Sequence, residues 1–157
     1  MNIKAKQNVP TPPMGWNSWD CYAAGVTEAQ LIANAAVMGR HMKKHGWEYI
    51  VCDIQWYEPL ATTENCEYRP FAELCMDDYG RLTPAQNRFP STGDGKGFAA
   101  VSDKIHAMGL KFGLHIMRGI PRQAVHARLC RSGERRLGLM KLPTLFRSAN
   151  GIAICMV

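Results

Sequence analysis

Apolar residues in the first half of the chain recur at Leu31, Ala35, Met38 and Met42, spaced by four, three and four. That spacing keeps one face apolar over several turns and predicts an amphipathic helix with these residues on its buried stripe. Thr27 and Gln30 have the capping-box form, so the helix should start after Thr27. It should run to about His45, with Lys43 and Lys44 favouring the negative end of its dipole and Gly46 stopping it. Trp47 to Ile54 then form a mostly apolar run of strand length, as expected of a strand buried on both faces. Phe98, Val101, Ile105 and Met108 mark a second helix from about Gly97 to Met108, ended by Gly109, and Leu110 to Met117 read as the next strand. Before all of these, Met14 to Asp20 read as a strand or strand end rich in Trp. Gln55 to about Gly95 carries Pro59, Pro70, Pro84 and Pro90 and two turn signals, at Asp78-Tyr79-Gly80 and Gly93-Asp94-Gly95. A loop of this length inside a domain usually carries function. The order strand, helix, strand, long loop, helix, strand predicts an α/β fold with a parallel sheet. Three strands cannot close a barrel.

Composition changes this picture at one place. The chain has 157 residues and a formal charge of +6, which invites a nucleic-acid or membrane-surface reading. Residues 1–127 hold 13 Lys+Arg and 12 Asp+Glu, a net of +1, whereas residues 128–157 hold 6 and 1, a net of +5. The last 30 residues lack periodicity and are punctuated irregularly by Gly133, Gly138, Pro143 and Gly151. Residues 1–127 therefore read as a near-neutral folded unit and 128–157 as a basic tail of different character. The length suits one average domain, while a complete (β/α)8 barrel takes about 250 residues. There is no apolar run of about 18 residues and no signal-peptide core, so no membrane contact and a cytoplasmic location are expected. The six cysteines, Cys21, Cys52, Cys66, Cys75, Cys130 and Cys155, show no zinc-type spacing and are expected to be free thiols.

Functional side chains of parallel α/β proteins gather at the C-terminal ends of strands. The first such end offers Trp16, Trp19 and Asp20, the second Asp53, Gln55 and Trp56, the third His115 and Arg118. Aromatic rings beside a carboxylate suit a sugar, whose C–H faces stack on rings and whose hydroxyls seek charged acceptors. Trp16 fits a core residue better than a ligand, and Trp19 fits either. Asp53 ends an apolar strand, where an unpaired carboxylate is costly, so its presence points to function. His115 alternates with apolar neighbours and by itself suits a hydrogen-bonded core histidine better than a ligand. His41 and His45 have a metal-capable spacing on a helix but no third ligand, and Asp77-Asp78 suit a turn cap. No phosphate-cradling glycine motif follows any strand, and no metal or cofactor is expected.

These residues carry a resemblance. Thr11-Pro12-Pro13-Met14-Gly15-Trp16-Asn17-Ser18-Trp19, then Gly46-Trp47-Glu48-Tyr49 leading to Asp53, then Asp78-Tyr79-Gly80-Arg81-Leu82 with Arg88-Phe89-Pro90, and finally Ile105 to His115 resemble successive motifs of glycoside hydrolase family 27, the α-galactosidases. The match spans roughly residues 10–126. It implies the N-terminal β-α units, about three strands, of an incomplete (β/α)8 barrel, acting in the intact parent on terminal α-galactosides without a cofactor. It also implies two catalytic aspartates that lie on later strands, so no catalytic residue is expected in this chain. Trp19, Asp53, Trp56 and His115 are the expected substrate-binding residues. By position Trp19 matches a tryptophan that packs on galactose, and Asp53 the first of two paired carboxylates that bind its hydroxyls. Ile54 stands where the second would be, and His115 stands in place of a strand-end tyrosine. Related activities in the family act on N-acetylgalactosamine or β-arabinopyranose.

The resemblance stops near Ala127, where the basic tail starts, and a reading-frame shift is the expectation that accounts for both. The leading expectation is a fragment of a retaining hydrolase of terminal α-D-galactosyl residues, itself inactive, with a galactoside as its small-molecule or oligosaccharide partner. The alternatives are a galactoside-binding module without catalysis and a basic nucleic-acid binder working through the tail. The nucleic-acid reading ranks last, because the basic residues form no coherent face and interleave with no aromatics.

Overall fold

A computed structural model describes residues 12–64, 69, 71–93 and 95–127, together with the backbone of 152–153. Thr11, Cys66, Pro70, Asp94, Cys130, Cys155 and the basic tail apart from 152–153 lie outside the described residues.

Strand β1, Met14–Asn17, is followed by a single helical turn, α1, at Trp19–Tyr22, and then by helix α2, Glu28–His41. Strand β2 is Trp47–Cys52, helix α3 Ala99–Ala107 and strand β3 Lys111–Leu114. Beyond it lie a short strand β4 (Ile120–Pro121), helix α4 (Arg122–His126) and strand β5 (Ile152–Ala153), with β4 and β5 paired antiparallel. The three longer strands form one parallel sheet in the order β1-β2-β3.

The expected start of α2 is realised in full. Thr27 Oγ1 accepts from Gln30 N, and the Gln30 side chain accepts from Thr27 N at 2.9 Å, so the capping box is closed in both directions. Leu31, Ala35 and Met38 are the buried stripe. The helix ends at His41. Lys43–His45 tighten into a 3-10 turn, and Gly46 takes the left-handed φ of +89° that reverses the chain into β2.

The strands are shorter than their apolar runs suggest. β1 stops at Asn17, not Asp20, because the Asn17 side chain accepts from Trp19 N (2.8 Å) and Ser18 O accepts from Tyr22 N (2.9 Å), which turns the chain into α1. β2 stops at Cys52 because Asp53 N donates to the Ser18 hydroxyl at 2.9 Å instead of to a neighbouring strand.

The sheet's two faces differ. Ile50, Cys52, Leu31, Ala35, Val101 and Ile105 are fully buried where α2 and α3 pack on one face. On the other, Gly15, Asn17, Tyr49 and Val51, with Pro13 and Trp16, line an open cleft of about 400 Å³. β1 and β2 approach closely at Gly15, where a Cβ would lie 2.4 Å from Tyr49 O, so only glycine fits that register. β3 is an edge strand of this sheet, and Leu114 and Ile116 at and beyond its end are exposed. No helix among the described residues is long and apolar enough to cross a membrane.

Candidate functional site

Asp53, Ser18 and His115 meet at the C-terminal ends of the three parallel strands. Ser18 is fully buried; its N–H donates to Val51 O at 3.0 Å and its hydroxyl accepts from Asp53 N at 2.9 Å, joining the first two strand ends. His115 N donates to Cys52 O at 3.0 Å, joining the second and third. The Asp53 side chain is 90% buried. Its Oδ1 accepts from Ile54 N at 2.7 Å and lies 2.6 Å from His115 Nδ1. The two side chains are thus joined by one short hydrogen bond. No described residue donates to Asp53 Oδ2. The His115 ring is 59% exposed and stands at the mouth of the site. It is therefore the partner of a strand-end carboxylate and not a core histidine.

Trp56 lies beneath this pair. It is 6% exposed, sits edge-on to Tyr57 and Phe98 at 5.0 and 5.4 Å, and its Nε1–H donates to His115 O at 3.0 Å. Its ring belongs to the core, and its indole N–H fixes the backbone that presents His115. Trp19 is half-buried at the start of α1, one residue beyond Ser18. Trp16 packs against the core, edge-on to Tyr22 at 6.1 Å, in keeping with its core reading. Cys52 lies under Asp53, and burial pushes its thiol up to about 12, so it stays protonated. Cys21, Cys52 and Cys75 are free thiols.

The long segment after β2 is held by side chains more than by ladders. Asp77 Oδ1 accepts from Tyr79 N and Arg81 N, both at 2.9 Å, the turn-capping role its sequence suggests. The Gln123 side chain on α4 clasps Leu74 through both of its backbone groups. Arg88, 6% exposed, spends its guanidinium on backbone carbonyls. Ser18 and Arg88 were both within the motifs that carry the family resemblance, but neither residue type at its position signals a tie between strand ends or loops.

Parallel strands with helices on one face and a buried carboxylate at their C-terminal ends have the layout of the first units of a β/α barrel. No family model matches the chain. It is 34% identical over 111 residues to the α-galactosidase mel1 of Schizosaccharomyces pombe, covering 69% of this chain and 21% of that protein. Among solved structures, a family 27 β-L-arabinopyranosidase from Geobacillus stearothermophilus superposes with a TM-score of 0.85 at 52% identity, over 93% of this chain and 33% of the other. A putative α-N-acetylgalactosaminidase from Bacillus halodurans gives 0.72 at 63% identity, over 78% and 28%. The chain belongs to glycoside hydrolase family 27 and corresponds to the N-terminal part of such enzymes. It spans about a fifth to a third of the length of these relatives.

Proposed function

We propose that Asp53 and His115, with Trp19 next to Ser18 and Trp56 beneath, form the part of a family 27 sugar site that holds a terminal galacto-configured pyranose. The parent reaction in this reading is the retaining hydrolysis of α-D-galactosides. The observation that carries it is Asp53. A buried carboxylate with one oxygen committed to His115 and Ile54 N, and with no described donor on the other, is preorganised to accept from hydroxyls. His115 holds the carboxylate in one orientation while its own exposed edge faces the ligand.

Retention of configuration needs two carboxyl groups about 5–5.5 Å apart. Asp53's partner at the strand ends is an imidazole. On this reading the 157-residue chain binds the sugar and does not turn it over. The relatives' names favour a hexose, but a specific feature favours a second substrate within the same reading. Ile54 is buried and apolar and accepts nothing from a hydroxyl. β-L-Arabinopyranose has the ring of α-D-galactose without its hydroxymethyl arm, so it asks for one acceptor fewer.

The test is an NMR titration of the purified chain with galactose and with arabinose, beside an assay with nitrophenyl α-galactoside. Both sugars should shift the Trp56 indole resonance, arabinose at least as tightly as galactose, with no nitrophenol released. Asp53→Asn should weaken binding about tenfold or more, as expected for loss of charged hydrogen bonds. Undiminished binding by the variant, or turnover by the chain, would overturn the corresponding part of the proposal.

A further inference from the structure

The turn after Asp53 holds a conformation its sequence does not favour. Gln55, two residues on, has a φ of +65°, in the left-handed region that side chains with a Cβ avoid. Glu58 N donates to Gln55 O at 3.0 Å, closing a turn whose second residue is Trp56. One buried cation, Arg88, reaches both ends of this turn. Arg88 Nη1 donates to Gln55 O at 3.1 Å and to Glu58 O at 2.9 Å, the two carbonyls at either end of the turn. Its Nε and Nη2 both donate to Val26 O, at 3.2 and 2.9 Å, on the loop that follows the first strand end. The segment carrying Arg88 is itself tied to both loops. Ala85 N donates to Trp56 O at 3.0 Å, and Glu28 N donates to Arg88 O at 2.9 Å.

We propose that Arg88 is a positioning residue for the strand-end site, holding Gln55 left-handed so that Asp53 and, through the Trp56 indole N–H, His115 keep the spacing a sugar requires. The inference rests on the sugar-site reading for its purpose and on hydrogen bonds alone for its geometry. A planar guanidinium reaches three carbonyls on two loops at once. A lysine ammonium at the same position keeps the charge without the fork, and so cannot span them all. The strain that Arg88 offsets sits at Gln55 and disappears if residue 55 has no Cβ. Glycine at 55 should therefore relieve the need for the clamp, which it would not do for an arginine that only adds general stability.

The test compares the parent chain, Arg88→Lys, and Arg88→Lys combined with Gln55→Gly. The Trp56 Nε1–H resonance is read first without sugar, then galactose is titrated. Arg88→Lys should move that resonance toward the position of free indole and weaken galactose about tenfold. Adding Gln55→Gly should bring the resonance back and restore affinity to within about threefold of the parent. If Arg88→Lys loses its cooperative melt, recovery of the melt on adding Gln55→Gly supports the clamp and failure to recover overturns it. A folded Arg88→Lys with unchanged indole resonance and affinity overturns it too, as does a double variant that stays displaced. If the parent itself binds no sugar, the sugar-site reading fails, while the sugar-free indole resonance still decides whether Arg88 sets the turn.

Discussion

Two short contacts to a carboxyl group, equal in length, stand at opposite ends of the same sheet. Near the N-terminal ends, Lys111 Nζ lies 2.6 Å from Glu48 Oε2; at the C-terminal ends, His115 Nδ1 lies 2.6 Å from Asp53 Oδ1. The first pair has both side chains about half exposed, whereas the Asp53 side chain keeps 10% of its surface. The Lys111 ammonium holds the Glu48 carboxyl below its ordinary value, yet water screens both, and such a pair contributes little. At the other end, Asp53 gives up hydration and receives the Ile54 N–H and the His115 ring instead. Distance alone does not separate the two pairs. Burial and the surrounding donors turn one into a surface contact and the other into a preorganised acceptor.

Removing a buried tie at the C-terminal end should have the largest effect. Ser18→Ala leaves the Asp53 N–H without its acceptor, which should cost about 1–3 kcal/mol. Urea denaturation measures it, and an unshifted midpoint would mean that the Ser18 hydroxyl does not stabilise the joint between the first two strand ends.

An intermediate effect is expected at Glu28, beside the same end. Burial pushes its carboxyl up, but the Ser91 N–H (2.9 Å) and Lys104 (3.1 Å) outweigh this and hold it below the ordinary 4.5. A lowered folded value means that the ionised form stabilises the fold above about pH 4.5 and that this contribution fades as the pH falls through the folded value. Glu28→Gln should therefore be less stable than the parent near neutrality, with the gap narrowing in acid. Denaturation midpoints from about pH 6 to about pH 3 read this directly. A constant gap would assign the loss to packing.

The smallest effect belongs to the N-terminal pair. Lys111→Met should leave the midpoint where it was, and raising the salt should change the parent no more than the variant. A clear loss there would erase the contrast between the two ends.

Much of the fold was legible in order. The four-three-four spacing of Leu31, Ala35, Met38 and Met42 and the Thr27–Gln30 box mark α2 because helix periodicity and capping are local physics. Strand ends were less legible. The expected strands run past Asn17, Cys52 and Leu114, whereas a turn closed by Asn17 ends β1 and the Ser18 hydroxyl takes the Asp53 N–H just after β2. The site was legible by type and incomplete by role. Asp53 stands out as a carboxylate ending an apolar strand. Trp56 reads as a sugar platform in sequence but is buried against Phe98 and Tyr57, because only the packing of α3 decides which face of that ring stays open.

The sequence by itself determined the alternation of strands and helices, the cap of α2 and the presence of a carboxylate at a strand end. Each is set by neighbours within a turn or by the residue's own shape. Only the tertiary structure decided that Ser18 holds Asp53 from 35 residues away, that His115 is its partner from 62, and that Arg88 reaches back to Val26 and Gln55. Those contacts join strand ends and loops that the chain separates widely. Their energies depend on burial, which no local pattern of residues records.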